Sequence, residues 1–239
     1  EGAATEAKRA IALRPTDHVA HTILACIFEA VGDRSLAKSE FKHAIELAPN
    51  FEDAHILYAQ SLAYQGELSQ AINEYRRANA IKPTADGFSG LAEALIGAHD
   101  MIGAVKAARQ AVSLEPGSAA AHVALTKALL LSGNSQPAMR TARQAVLLNP
   151  TAAESHIALG RALHHKGDIN GAVEEFKQAV SLDPLNAQAR NDLGYALYSK
   201  GDVFLAVSEF RLALRLNPHL SEARNNLEIA IHGLSAHKH

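Results

Sequence analysis

Proline recurs along this 239-residue chain at an almost constant interval. Successive members of the series are 34 residues apart, except for one interval of 33: Pro15, Pro49, Pro83, Pro116, Pro150, Pro184 and Pro218. A fixed period of a few tens of residues is the signature of a stack of similar supersecondary units. Each unit of such a stack contacts its neighbours, and the stack presents long continuous surfaces. The function of the chain is therefore expected to lie on a surface rather than in one central pocket.

The prolines divide the chain into six full units, which span residues 18–51, 52–85, 86–118, 119–152, 153–186 and 187–220. With the proline as position 32, positions 20 and 27 are alanine in all six units, and position 24 is aromatic in four: Phe41, Tyr75, Phe176 and Phe210. Apolar residues recur at helical spacing in both halves of each unit, which predicts a pair of helices. Small polar residues that precede these runs are predicted helix N-caps: Asp17, Asn50, Ser118, Asn186 and Ser221.

This pattern, repeated six times in register, resembles the tetratricopeptide repeat family over nearly the whole chain. The resemblance implies an all-α, right-handed superhelical solenoid of antiparallel helix pairs, with six full 34-residue repeats and partial units at both ends. Residues 1–17 are expected to hold the second helix of a truncated repeat, residues 221–236 a capping helix and residues 237–239 a frayed tail.

The chain starts partway through a repeat, at Glu1, with neither an initiator methionine nor a signal peptide. This predicts that it is a piece, or a processed product, of a longer protein. Its first helix is then expected to leave the apolar residues Ala7 and Ile11 uncovered. Uncovered terminal faces of solenoids associate, so self-association is predicted at the N-terminal edge.

Composition narrows the classes of partner. The chain is 48% hydrophobic and 20% charged, with a formal net charge of −2. This composition gives no sign of the basic surface that nucleic-acid binding requires. Its apolar runs are only a few residues long, which is too short for a membrane span. Cys26 is the single cysteine and can form no internal disulfide.

Thirteen histidines raise the question of a metal site. Four of them occupy position 4 of their units, one repeat apart, which is too far for two to bind one zinc ion: His21, His55, His122 and His156. We expect these rings to be half-buried where first helices meet, and we predict no metal and no cofactor.

No catalytic motif stands out from the repeat pattern. The chain has no glycine-rich phosphate loop and no Gly-x-Ser-x-Gly turn. Glu40, Glu174 and Glu175 fall on second helices, where solvent-exposed positions are expected, and nothing near Cys26 is expected to lower its pKa. The chain is predicted to be no enzyme by itself.

The resemblance implies that first helices line a concave groove, with positions 2, 5, 6, 9, 12 and 13 facing into it. At these positions the early units are mostly apolar, as in Val19, Ile56 and Leu57, whereas the later units carry aromatic, basic and amide groups. Tyrosine and arginine often dominate binding energy. We therefore predict a protein-binding groove centred on Arg161, His164, Asn191, Tyr195, Tyr198 and Asn225.

The predicted function is a non-catalytic protein-interaction scaffold that binds a peptide or protein segment in the groove. The alternative is a regulatory or substrate-recruiting module cut from a larger enzyme, such as a glycosyltransferase, or from a secretion-machinery protein. Asparagine at position 6, typical of one glycosyltransferase branch of the family, occurs only at Asn226. The lysine and asparagine set that binds chaperone tails is missing.

Unit 86–118 departs from the pattern. It is one residue short, has His99 where the other units have glycine, and has Ala108 at the aromatic position 24. Its glycines, such as Gly90, weaken helices by about 0.5–1 kcal/mol each relative to alanine. This unit is therefore predicted to be the least stable part of the stack.

Overall fold

The computed structural model describes the backbone of residues 2–236 and the side chains of residues 5–233. This part of the chain contains fourteen α-helices and no strand. The helices are α1 (Gly2–Leu13), α2 (His18–Ala30), α3 (Arg34–Leu47), α4 (Glu52–Tyr64), α5 (Leu68–Ile81), α6 (Ala85–Gly97), α7 (Met101–Leu114), α8 (Ala119–Leu131), α9 (Ser135–Leu148), α10 (Ala153–His165), α11 (Ile169–Leu182), α12 (Ala187–Lys200), α13 (Val203–Leu216) and α14 (Ser221–Ala236). Glu1 and the predicted tail at 237–239 lie outside the described residues.

The helices fall into two compact units, with α1–α7 in Glu1–Pro116 (unit 1) and α8–α14 in Gly117–His239 (unit 2). Within each unit, every helix packs on the next along the chain, and the first helices of neighbouring repeats also pack on one another. Short connections make consecutive helices antiparallel. Each unit is an all-α solenoid of helix pairs, so the predicted fold class is confirmed.

Polar caps and left-handed residues set the helix ends. The side chain of Asp17 accepts a hydrogen bond from the backbone N–H of Ala20 and so satisfies a donor that the first turn of α2 leaves open. Gly201 ends α12 in the left-handed conformation, with φ of 94°. Asn50, in contrast, is not the N-cap of α4: Phe51 takes that position without a side-chain hydrogen bond. The prediction for Asn50 was wrong by one residue.

Small residues let the helices approach closely. The alanines at positions 20 and 27 are fully buried in all six repeats. At position 24 the rings of Phe176 and Phe210 are also buried, and each faces a glycine at position 8 of the preceding helix. A Cβ atom on Gly160 would lie 2.7 Å from Cε1 of Phe176, and one on Gly194 would lie 2.7 Å from Cε1 of Phe210. These glycines are thus required by packing, because any side chain would overlap the ring.

The position-4 histidines lie deeper than expected. His21, His55 and His122 are buried, and only His156 is half-buried. Two glutamates expected to be solvent-exposed are in fact their partners: Glu40 pairs with His21, and Glu175 pairs with His156. The prediction for these two glutamates was wrong, because residues 19 apart on the two helices of a repeat face each other across their contact.

The N-terminal helix is better covered than predicted. Ala7 is buried and Ile11 is half-buried, since α1 packs on α2. The expectation that Ala7 would be uncovered was therefore wrong.

The repeat at residues 86–118 keeps its helix pair, α6 and α7, despite its irregular sequence. His99 takes a positive φ of 61°, in the turn where five other repeats have glycine with φ between 78° and 94°. A side chain at a positive φ is strained relative to glycine. Gly90, however, makes room for the ring of Tyr75, so this glycine has a packing role as well as a cost in helix stability.

Candidate functional site

The first helices of unit 2 form a continuous layer. Helix α8 packs on α10, α10 on α12, and α12 on α14. Among the described residues, the second helices α9, α11 and α13 pack on first helices and not on one another. A stack with one closed layer and one open layer curves toward the closed layer, so the first helices line the concave face of unit 2.

Two adjoining cavities open on this concave face. One has a volume of about 400 Å³ and is called here the inner cavity; it is lined by Arg161, His164, His165, Phe176, Asp192 and Tyr195. The second has a volume of about 550 Å³ and is lined by Lys127, Leu130, Leu131, Arg161, His165, Gln188, Asp192 and Glu222. Because three residues belong to both cavities, the two form one strip across α8, α10, α12 and α14.

Arg161 is held in a fixed orientation between repeats. Its Nε donates to Oδ2 of Asp192 at 2.7 Å, and Gln188 Nε2 donates to Oδ1 of the same carboxylate at 3.0 Å. Gln188 also donates to Glu222, on the next first helix, at 3.1 Å. Among the described contacts none engages the terminal Nη groups of Arg161, and its side chain is 36% exposed. The guanidinium therefore presents oriented donors to the strip.

His164 presents an acceptor in the same cavity. The hydroxyl of Ser199 donates its one hydrogen to the carbonyl of Tyr195 at 3.0 Å, so Ser199 Oγ accepts from His164 Nε2, also at 3.0 Å. Burial, with a smaller contribution from the charge of His165, lowers the pKa of His164 below its ordinary value of 6.5. At neutral pH the ring is therefore uncharged, with its hydrogen on Nε2 and a lone pair on Nδ1.

The structure brings together three of the six predicted groove residues: Arg161, His164 and Tyr195 all line the inner cavity. Tyr195 is 47% exposed, and its ring centroid lies 5.0 Å from that of His164. Asn225 is exposed on α14.

The remaining two predicted residues serve the packing around the site. Asn191 is buried, and its Oδ1 accepts from Nδ2 of Asn226 at 3.0 Å, which links α12 to α14. Tyr198 is half-buried against the apolar core of unit 2. Neither residue lines the inner cavity.

Several lining residues were missed by the sequence analysis although the groove rule could have found them. Gln188 and Glu222 occupy position 2 of their helices, and Lys127 occupies position 9, which are groove positions. Phe176 was assigned to the core from its position 24 alone. Its ring is buried and also forms the floor of the inner cavity, which only the packing of α10 on α11 shows.

The first helices of unit 1 carry both buried and exposed groove positions, and Val19 and Ile23 are exposed there. Ile56 and Thr22 are buried, and the Thr22 hydroxyl donates to the carbonyl of His18. Tyr64 is exposed, and the Arg34 guanidinium lies 5.7 Å from the centroid of its ring.

Cys26 does not have the environment of a reactive nucleophile. Burial, followed by the nearby charge of Glu29, raises the pKa of the Cys26 thiol, which keeps it protonated and unreactive at neutral pH. In the part of the chain that the structure describes, no three histidine, cysteine or acidic residues are grouped as metal ligands would be. No described helix is both long and apolar enough to cross a membrane.

Comparison with protein families identifies the repeats. Models described as tetratricopeptide repeat match residues 19–51 and 127–179, and a model described as TPR repeat matches residues 160–201. The chain is a tetratricopeptide repeat protein. Proteins of this family are typically non-catalytic scaffolds that bind protein or peptide partners. No curated protein matches the chain in a sequence search.

Solved tetratricopeptide repeat structures share the fold. A chain of the APC/C hetero-tetramer Cut9-Hcn1 matches 95% of this chain with a TM-score of 0.79 at 21% identity, and the match covers only 45% of that chain. A tetratricopeptide repeat protein from Parabacteroides merdae matches 95% of this chain and 91% of its own, with a TM-score of 0.79 at 14% identity. YrrB, described as a TPR protein with an unusual peptide-binding site, matches 77% of this chain and 96% of its own, with a TM-score of 0.50 at 21% identity.

Proposed function

We propose that this protein is an interaction scaffold that binds an extended peptide segment along the concave face of unit 2. One observation carries the proposal: the inner cavity presents the unengaged Nη donors of Arg161 and the Nδ1 acceptor of His164 beside the exposed ring of Tyr195. An extended peptide offers one carbonyl acceptor and one N–H donor per residue, which matches this pair of oriented groups.

The cavity also offers apolar contact. Phe176 forms its floor and Tyr195 its rim, and because the Tyr195 ring is the exposed one, a side chain of the bound segment can bury apolar area against it. Polar residues continue the strip through Gln188 and Glu222 toward the exposed amide of Asn225, which can donate to and accept from a peptide backbone. In this arrangement the contacts are Arg161, His164, Tyr195 and Asn225, while Asn191 and Tyr198 hold α12 in place.

Holding these groups in advance favours binding. The hydrogen bond from Arg161 to Asp192 and the contact between His164 and Ser199 fix both side chains before a ligand arrives. Less conformational entropy is then lost on association, and a larger share of the contact energy becomes affinity.

The proposal is tested with peptides selected on the intact chain from a random phage-displayed library. The dissociation constant of the best peptide is measured by calorimetry for the parent chain and for the double variant Arg161→Ala/Tyr195→Ala. Loss of two central contacts is expected to weaken binding by about 2 kcal/mol or more, roughly 30-fold in Kd, with unchanged helicity.

Tyr64→Ala is the matched control, because Tyr64 is also an exposed tyrosine on a first helix but belongs to unit 1. It is expected to leave the affinity unchanged. If the double variant binds as the parent does and Tyr64→Ala does not, the site lies on unit 1 and the proposal is wrong.

A further inference from the structure

Position 4 of the repeats carries a contact that neither the fold class nor peptide binding explains. In the second repeat, Nδ1 of His55 lies 2.6 Å from Oε2 of Glu74, and Nε2 lies 3.0 Å from the carbonyl oxygen of Pro49. Both neighbouring atoms are hydrogen-bond acceptors. A neutral imidazole has only one N–H and can donate to one of them, whereas an imidazolium can donate to both.

The same geometry recurs in two other repeats. Nδ1 of His21 lies 2.6 Å from Glu40, and its Nε2 lies 3.1 Å from the carbonyl oxygen of Pro15. In the fifth repeat, Nδ1 and Nε2 of His156 lie 2.7 Å from Glu175 and 2.9 Å from the carbonyl oxygen of Pro150. We call each set of histidine, glutamate and proline carbonyl a histidine clamp.

The sixth repeat shows which charge this position accommodates. Arg190 replaces the histidine, donating from Nε to the carbonyl oxygen of Pro184 and from Nη1 to Glu209, at 3.1 Å in each case. Arginine is always protonated and donates at both places. The two acceptors are thus matched by a cation with two donors in this repeat.

The third repeat has neither the histidine nor the glutamate of the clamp. Phe88 stands at position 4 and Ala107 stands where the other repeats have glutamate. In the fourth repeat Thr141 replaces the glutamate opposite His122. The paired carboxylate therefore occurs in the first, second, fifth and sixth repeats, each of which has histidine or arginine at position 4.

We infer that the histidine clamp of the second repeat binds one proton in the folded chain, so that His55 is held as an imidazolium between the Glu74 carboxylate and the Pro49 carbonyl. The folded protein then carries a proton on His55 that a count of neutral histidines omits, and part of its stability depends on pH. This inference goes beyond the proposed peptide binding and does not rest on it.

The surroundings of His55 decide how strongly its clamp holds the proton. His55 and Glu74 are 4% and 12% exposed at their side chains, so the pair is shielded from water. The hydrogen bond that His55 donates to the Glu74 carboxylate raises the pKa of His55 above 6.5, and burial offsets part of this rise. Arg77 opposes it too, because its Nη1 donates to Oε1 of Glu74 at 2.8 Å and its charge faces the ring.

Other ionisable groups near this clamp come from two helices. Lys42 and Glu46 on α3 line the same surface cavity as Glu74 and Arg77, and they carry opposite charges. On α4 itself, burial raises the pKa of Tyr58 to about 12, so this phenol stays neutral across the physiological range.

The sign of the effect follows from the raised pKa of His55. The clamp contributes its full stability below the unfolded value of 6.5 and loses it as the pH rises through the folded pKa. Between these two values the proton on His55 changes the folding equilibrium constant by up to about tenfold per pH unit. The second repeat thus loosens as the pH rises, while the repeat with Arg190 in place of the histidine does not.

The first test observes the protons directly in the intact chain. The side-chain ¹⁵N spectrum at about pH 7 is expected to show His55 protonated at both ring nitrogens, and Glu74→Gln is expected to return it to the neutral pattern. A ring nitrogen of His55 without hydrogen in the parent protein would overturn the inference, including the case in which the proton sits on Glu74 instead.

The second test uses the arginine that the chain already places at this position. Urea unfolding of the parent is measured between about pH 6 and pH 9, together with His55→Arg and Arg190→His. The unfolding midpoint of the parent is expected to fall as the pH rises. His55→Arg should reduce this fall and Arg190→His should increase it.

Equal pH dependence in all three proteins would overturn the inference. If His55→Arg does not fold, the spectrum of the parent and the Arg190→His variant decide the question.

Discussion

Replacing Gly160 by alanine tests whether this glycine is required by packing. The added Cβ would lie 2.7, 2.8 and 2.9 Å from three ring carbons of Phe176. Carbon atoms pack at about 3.5–4.0 Å, so the ring must move by roughly 0.8 Å or more. Phe176 is 2% exposed, and overpacking in such a core costs about 1–3 kcal/mol. Alanine is favoured over glycine in a helix by about 1 kcal/mol. If overpacking costs the upper value of about 3 kcal/mol, the free energy of unfolding falls by about 2 kcal/mol.

Urea unfolding followed by circular dichroism measures this loss. Gly233→Ala is the matched control, because its Cβ would meet only the Tyr198 side chain, at 3.6 Å from the hydroxyl oxygen, an ordinary contact distance. The control is expected to be neutral or up to about 1 kcal/mol more stable. Because Phe176 also forms the floor of the inner cavity, Gly160→Ala should weaken peptide binding as well. If Gly160→Ala is as stable as Gly233→Ala, the packing role assigned to this glycine is refuted.

Three further predictions concern the stack and the site. Residues 86–118 should exchange backbone amide hydrogens faster than residues 153–186, and equal protection in a hydrogen-exchange experiment would contradict this. Asp192→Asn removes the charge that holds Arg161, so the affinity for a selected peptide should fall roughly tenfold, about 1.5 kcal/mol, by calorimetry while helicity is kept. Peptide affinity should be constant from about pH 8 to 6.5 and should fall in more acidic solution. Burial lowers the pKa of His164, so the ring gains its second proton and loses the Nδ1 acceptor only at acidic pH. Affinity that rises on acidification would argue against His164 as an acceptor for the peptide.

The repeat architecture was predictable because the same sequence pattern occurs in six successive repeats. The period of the prolines and the alanines at positions 20 and 27 recur in every repeat, so an irregularity in one repeat does not obscure the pattern. The helix pairs follow from these positions. Single boundaries were less secure: the N-cap of α4 is Phe51 and not Asn50, although Asn50 is the residue type that favours this position.

The site was predictable only in part. Position rules placed Arg161, His164 and Tyr195 on the concave face, and these residues do line one cavity. The rules could not show that Arg161 pairs with Asp192, because that contact joins residues 31 apart on neighbouring repeats and depends on how the helices are aligned. For the same reason they could not show that Asn191 is buried by its bond to the next helix.

The histidine clamps show the same limit. Position 4 was recognised as a recurring histidine, but its partners lie 19 residues later and 6 residues earlier in the chain. Only the contact between the two helices of a repeat and the path of the preceding loop brings these groups together.

The central claim is that unit 2 binds an extended segment on its concave face. It is tested most directly by mapping, in the intact chain, which backbone amides are protected from hydrogen exchange when a selected peptide is bound. The account predicts new protection on α10 and α12 around Arg161 and Tyr195, with little change on the second helices α11 and α13. Protection confined to unit 1, or to the second helices, would contradict it.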